Sequence, residues 1–155
     1  MNGELTISKA QKFELDDILN LQRLCYQSEA ALYSDYEIQP LTQKLSELID
    51  DFDKGTVFLV GYIDGKLVAS VRGHVKNGTG YINKLIVHTA VQNCGYGKRM
   101  MKAIEAELKE AKRYELFTGA KSKKNLALYD KLEYEVYLKE RVSEALELIY
   151  LQKII

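Results

Sequence analysis

Two dipeptides, Asp64-Gly65 and Asn77-Gly78, cut the middle of the chain into three β-rich runs: Val57 to Ile63, Lys66 to Lys76, and Thr79 to His88. Two-residue turns of this composition accept positive φ at both positions and match the twist of paired strands, so they close hairpins. The three runs therefore form an antiparallel meander. If Asn77 and Gly78 are the two turn residues, His74 lies opposite Tyr81 and Arg72 opposite Asn83. In the third run the apolar positions Ile82, Leu85 and Val87 break strict alternation, because the first step is three residues long. A β-bulge near Asn83 or Lys84 returns the later positions to the inward face.

Ahead of the meander, Leu5 to Ala10 alternate as a short strand, and Leu15, Ile18, Leu19, Leu21 and Leu24 recur at helical spacing through about Tyr26. Leu41, Leu45, Leu48, Ile49 and Phe52 mark a second helix closed by Gly55. Tyr33 to Pro40, between them, read as an aromatic loop that could wall a ligand site. Behind the meander, Met100, Ile104, Leu108 and Ala111 form one face of a helix running from near Gly95 to about Arg113. Tyr114 to Thr118 then make a short buried strand, free to lie parallel to the strand ending at Val87 because a helix joins them. A short helix from about Asn125 to Leu132 and two strand-like runs, Tyr134 to Arg141 and Leu146 to Lys153, complete the chain. The expected order is β-α-α-β-β-β-α-β-α-β-β. It is a mixed α/β sheet of α+β character with one central parallel βαβ crossover, in a single domain over residues 1–155.

Lys plus Arg and Asp plus Glu number 22 each, so the chain lacks the broad positive field on which nucleic-acid and polybasic membrane binding depend. No apolar run approaches the roughly 20 residues of a membrane span, and the opening MNGELTISKA has no apolar signal core. A cytoplasmic protein with a discrete small ligand is expected. Cys25 and Cys94 stand in no metal-ligand or C-x-x-C spacing, so no metal site is expected, and two free thiols suit a reducing compartment.

The residues from Gln92 to Lys98 place two glycines, Gly95 and Gly97, between the third run and the amphipathic helix. A helix N-terminus leaves several N–H groups without intrahelical partners and favours negative charge, and glycines remove the Cβ atoms that would hold an anion away. Phosphate is the natural occupant. A Walker loop is disfavoured, because Gly97-Lys98 is followed by Arg99 rather than a hydroxyl residue. A dinucleotide fingerprint is weakened by Met100 at the third glycine position and by hairpin-linked strands ahead of it, although Glu115 stands at about the right distance.

Gln92-Asn93-Cys94-Gly95-Tyr96-Gly97 resembles the Q/R-x-x-G-x-G/A motif of the GNAT N-acetyltransferases. The element order over nearly the whole chain resembles that family too. So does Asn125-Leu126-Ala127-Leu128-Tyr129, an Asn followed by a Tyr on a short helix. The resemblance implies acetyl-CoA as ligand. Its pyrophosphate would meet backbone amides of Asn93, Cys94, Gly95, Tyr96, Gly97 and Lys98 with Gln92 as side-chain element, and its pantetheine arm would pair with backbone groups of Leu85, Ile86 and Val87. Splaying of that bulged fourth strand from Tyr114 to Thr118 would open the slot, and Asn125 would hydrogen-bond the arm. Lys121-Ser122-Lys123-Lys124 could meet the ribose phosphate or could be a solvated loop.

By the same resemblance Tyr129 is the general acid to the departing sulfur. Relatives often place a carboxylate base where this chain has Asn83. His74 could serve as a base or be a solvent-facing or structurally bonded histidine, and an ordered water could instead accept the proton. Tyr33, Tyr36, Arg72, His74 and Asn83 are the expected substrate-side residues. The implied activity is transfer of an acetyl group to a primary amine of a small molecule, amino acid or peptide, by direct attack in a ternary complex. The alternative is a non-catalytic acetyl-CoA-binding module. Homodimers occur in the family, so a dimer is a further possible assembly.

Overall fold

In the computed structural model, which describes residues 3–155, the chain enters the sheet through β1 (Thr6–Lys9). It then packs a helical segment against one sheet face: α1 (Leu15–Cys25), α2 (Gln27–Tyr33), α3 (Gln39–Thr42) and α4 (Leu45–Asp53). The meander follows as β2 (Val57–Ile63), β3 (Lys66–Lys76) and β4 (Thr79–Val87). After these come α5 (Tyr96–Glu107), β5 (Arg113–Gly119), α6 (Lys123–Lys131), β6 (Glu135–Arg141) and β7 (Glu147–Ile154).

Both hairpin turns have the geometry that their residues favour, with φ of 51° at Asp64, 77° at Gly65, 51° at Asn77 and 78° at Gly78. His74 pairs with Tyr81 and Arg72 with Asn83, the register set by that second turn. The bulge sits at Lys84, whose φ is 55°; the ladder runs from Arg72–Asn83 directly to Ser70–Ile86.

The seven strands form one sheet in the order β1-β2-β3-β4-β5-β7-β6. Period-two alternation sorts side chains between its faces. Phe58 and Val60 point to α1 and α4, where they meet Leu15, Ile18, Leu19 and Leu48. On the other face Leu59, Val71, Ile82, Leu116 and Leu151 pack against Met100, Met101 and Ile104 of α5 and Tyr129 of α6. Each such side chain, sealed from water, contributes about 1.5–3 kcal/mol.

Three expectations need correcting. Gln27 to Tyr33 are helical, so Tyr33 ends a helix rather than opening a loop; Glu, Ala and Leu in this stretch are strong helix formers, and Ser34 ends it in the left-handed region at φ 50°. The single helix expected over Leu41 to Phe52 is two, broken at Gln43, whose backbone is extended and whose buried side-chain oxygen accepts Gln22 Nε2 at 2.9 Å. Finally, α5 stops at Glu107 and not near Arg113. Leu108 and Ala111 remain buried in a turn, and the chain leaves the helix so that the Lys112 N–H can reach the Gly78 carbonyl at 2.7 Å.

Candidate active site

The site begins where two parallel strands separate. β4 and β5 pair only at Thr79–Arg113, Gly80–Tyr114 and Tyr81–Glu115; beyond them the β5-facing edge of β4 is unpaired. Leu85, Ile86 and Val87 lie along this edge, and Ile86 and Val87 stay bonded to β3 on the opposite side.

At the far end of the slot, Gly95 caps α5 with φ 81°. A Cβ there would meet nothing within 4 Å, so its glycine serves backbone conformation in an exposed turn. Gly97 serves close packing instead, since a Cβ would come to 3.3 Å from Leu128 of α6 and 3.9 Å from Leu85 of β4. Among the described residues no group accepts a hydrogen bond from the N–H of Asn93, Cys94, Gly95, Tyr96, Gly97 or Lys98, while the first helical bond is that of the Arg99 N–H to the Gly95 carbonyl at 3.2 Å. Asn93 adds another left-handed residue at φ 64°, and Gln92 to Gly95 are exposed while Tyr96 and Gly97 are half-buried. Such a row of unused donors at the positive end of a helix is an anion cradle.

Gln92 does not point into that row. Its Nε2 donates to the Val87 carbonyl at 3.1 Å, and the Cys25 thiol approaches the same oxygen at 3.5 Å. The side chain thus ties the turn to the end of β4. Cys94 is exposed and its thiol reaches the Gln92 carbonyl at 3.5 Å; both cysteines are free thiols. Burial pushes the Cys25 thiol up to about 11, which keeps it protonated and unreactive at neutral pH.

At the other end, the splay opens into a cavity of about 560 Å³, lined by α2 and the segment after it, by Ile82, Asn83, Lys84 and Leu85 of β4, by β5, and by Asn125 and Tyr129 of α6. This volume suits a small ligand. Tyr129 is 6% exposed and its ring leans on Tyr134 at 6.0 Å, yet its hydroxyl has no hydrogen-bond partner among the described residues. Burial, then the charges of Tyr26 and Glu29, raise its pKa, so the phenol is protonated throughout the neutral range. Asn125 donates from Nδ2 to Thr118 Oγ1 at 3.3 Å, which holds the amide at the cavity wall.

A clasp closes the wall over β5. The Tyr33 hydroxyl accepts the Lys121 N–H at 2.9 Å and lies 3.4 Å from Ser122 Oγ, which donates to Glu29 at 2.5 Å. The Tyr33 ring end sits directly on Gly119, where an added Cβ would fall 1.9 Å from the hydroxyl oxygen. Lys121 and Ser122 are thus engaged with α2, while Lys123 and Lys124 are exposed.

Of the expected substrate-side residues, Tyr33 and Asn83 line the cavity. Tyr36 is 59% exposed and does not, and His74 is exposed and stacked on Tyr81 at 5.3 Å, away from the lining. Arg72 is 2% exposed beneath α1: its Nη2 donates to Gln22 Oε1 at 2.5 Å, its Nη1 reaches Gln43 Oε1 at 3.5 Å, and among the described residues its Nε has no acceptor. Burial lowers its pKa to about 10. Lys84, Tyr26 and Glu29 also line the cavity and were not expected there. The broken alternation of the third run marked Lys84, but nothing in the residues themselves separated Glu29 from the other acids of a surface helix.

Among the described residues no group of His, Cys, Asp and Glu is arranged to hold a metal ion, and no helix is long and apolar enough to cross a membrane. No curated protein matches the chain by sequence. Its fold is that of PaiA N-acetyltransferase from Thermoplasma acidophilum, solved with coenzyme A (TM-score 0.81, 13% identity, 98% of this chain and 99% of that one). It is also that of YncA from Salmonella typhimurium, solved with its cofactor acetyl-CoA (0.76, 15%, 97% and 94%). The ribosomal-protein-alanine N-acetyltransferase from Brucella melitensis is similar as well (0.74, 17%, 97% and 99%). A model of the acetyltransferase (GNAT) family matches residues 15–134, which cover the splayed strands, the glycine turn and the Tyr129 helix; the chain belongs to that family.

Proposed function

We propose that the protein is an acetyl-CoA-dependent N-acetyltransferase that acts on a primary amine by direct attack within a ternary complex. One observation carries this reading: among the described residues, a turn of unpartnered amides is tied to the end of an unpaired strand edge, which leads to a cavity lined by a phenol with no hydrogen-bond partner. These groups fit the cosubstrate in sequence. The amides from Asn93 to Lys98 suit a pyrophosphate, the free edge of β4 at Leu85, Ile86 and Val87 suits an amide-bearing arm, and Asn125 and Tyr129 stand where that arm would end. Family membership and two neighbours solved with coenzyme A or acetyl-CoA support the assignment.

Bound acetyl-CoA supplies the activated acetyl thioester. The chain's own work is to hold and to donate. Amides at the helix tip bind without reorganisation, because they have no internal bonds to give up. Closure of the cavity by the Tyr33 clasp limits water around the reacting amine. Tyr129 presents an O–H to the leaving sulfur. Since its pKa is raised above the ordinary tyrosine value of about 10 and a thiol's is about 8.5, the phenol stabilises departing thiolate by hydrogen bonding more than by complete proton transfer. A cytoplasmic setting suits an acetyl-CoA-dependent enzyme with two free thiols.

Calorimetric titration with coenzyme A, acetyl-CoA and NAD, followed by mass-spectrometric detection of acetylated products across an amine panel, tests the reading. Binding of both CoA forms in preference to NAD, with turnover of at least one amine, is the expected result. Binding without turnover of any amine would reduce the protein to an acetyl-CoA-binding module.

A further inference from the structure

Given acetyl transfer to an amine in this cavity, we propose that the acceptor is an amino acid whose carboxylate pairs with Lys84 while its amine is held on the Glu29 side, beside Tyr129. The cavity is polarised. Its carboxylates, Glu29, Asp35 and Glu37, come from α2 and the segment after it, and its lysine comes from the β4 bulge. Asp35 is committed locally, accepting the Glu37 N–H at 2.9 Å. Glu29 is held by Ser122 through one oxygen, leaving the other for a ligand.

Lys84 has no such tie. Among the described residues its ammonium makes no hydrogen bond and no ion pair, although the residue is partly buried and lines the cavity. Its cationic neighbour Arg72 is, among the described residues, hydrogen-bonded only to the neutral amides of Gln22 and Gln43 and keeps one N–H unused. Two sheltered cations therefore stand near the bulge with no carboxylate paired to either, an arrangement that costs free energy until an anion arrives. Burial, then Arg72, push the Lys84 ammonium down to about 8, partly offset by Asp51 and Glu47 of α4. Glu29 on α2 and Lys84 at the β4 bulge line the cavity from separate elements, as two poles of opposite charge. An ammonium and a carboxylate on one small molecule match both poles. A plain amine matches only one, and a diamine would set a second cation against Lys84.

The test compares initial rates for free amino acids, their carboxamides and their decarboxylated amines, with the wild-type protein and with Lys84→Gln and Lys84→Arg. Losing one charge-assisted contact costs on the order of tenfold, so wild-type kcat/KM is expected to favour the acid over its amide by about that factor, mainly through KM. In Lys84→Gln the acid-to-amide ratio falls toward unity, and in Lys84→Arg part of it returns. Coenzyme A affinity measured on each variant shows that the fold is intact. Should a variant fail to fold, the wild-type preference alone decides. Wild-type rates that are equal for acid and amide, or higher for plain amines, overturn the proposal, as does a Lys84→Gln effect shared by all three substrate types. If coenzyme A binds and no amine of any type is acetylated, the acetyl-transfer reading falls first and the amino-acid assignment with it. Turnover of amines with no regard for the carboxylate removes the assignment alone.

Discussion

A phenol with no hydrogen-bond partner is uncommon inside a protein, because a buried O–H forfeits its bond to water. The Tyr129 hydroxyl has no partner among the described residues, but it is not sealed off: the residue lines the cavity, where a ligand would supply the acceptor. Replacing it with Phe leaves the ring packing against Tyr134 in place and removes only the donor. Tyr129→Phe is expected to lower kcat by roughly 10²–10⁴-fold with little change in acetyl-CoA affinity, as steady-state kinetics and calorimetry would show. An unchanged kcat would relieve Tyr129 of its role. Lys84 makes a second prediction at this scale. Its folded pKa, about 8, lies below the ordinary 10.5, so between these values the unfolded chain binds more protons and stability rises with pH. Below about pH 8 the charged lysine is a net cost. Lys84→Met should therefore stabilise the ligand-free protein in denaturant titrations near pH 7, and the gain should fade as the pH approaches 10.5. A constant difference across that window would contradict the assigned cause, burial of Lys84 together with the charge of Arg72, partly offset by Asp51 and Glu47.

Between elements, the informative contacts are those that tie α2 to the start of α6. Tyr33 can lie across β5 only because Gly119 has no side chain. Gly119→Ala leaves no room for the hydroxyl, so the Tyr33–Lys121 bond must break and the wall over β5 must shift. The expected outcome is a loss of about 1–3 kcal/mol in stability together with a raised KM for the amine, and Tyr33→Phe should share the KM effect without the steric cost. At the other end of the slot, Gly95→Val would place a β-branched residue at φ 81°, a cost of about 1–3 kcal/mol, and would disturb the amide row. Coenzyme A affinity, measured by calorimetry, should fall more than affinity for an amine. The two hairpins, the bulge and the His74–Tyr81 register were legible in the sequence because local turn chemistry and period-two alternation determine them. The break at Gln43 was not, since it depends on a buried partnership with Gln22 from another helix. The end of α5 was obscured for a related reason: Leu108 and Ala111 keep their apolar spacing while the backbone has already turned.

For the whole molecule, the sequence allowed the βαβ crossover to be read, because an intervening helix makes a parallel partner natural. Where the last strands insert could not be read. β7 enters between β5 and β6, pairing with β5 from Arg113–Ile154 to Gly119–Leu148. That placement turns β5 from an edge into an interior strand and compensates for its early parting from β4. The cavity was only partly legible for the same reason: Asn83, Asn125 and Tyr129 belong to motifs, whereas Glu29 and Lys84 come to line one cavity only after α2 folds over the splay. Leu151 is 2% exposed and pairs with both Leu116 and Val136, so Leu151→Ala should cost about 2–5 kcal/mol and loosen one jaw of the slot. Denaturant titration with and without coenzyme A would register both effects.

The insertion of β7 also sets an order of events during synthesis. Most of the cavity lining, from Tyr26 to Tyr129, leaves the ribosome before Glu147–Ile154, yet β5 has only a three-pair parallel contact until that segment arrives, and the segment itself brings Leu148 to the wall. A nascent chain halted after α6 would carry the glycine turn, Glu29, Lys84 and Tyr129 but would lack both the wall supplied between β6 and β7 and a rigid pocket, so ligand capture should appear abruptly with the final strand and not grow as the chain lengthens.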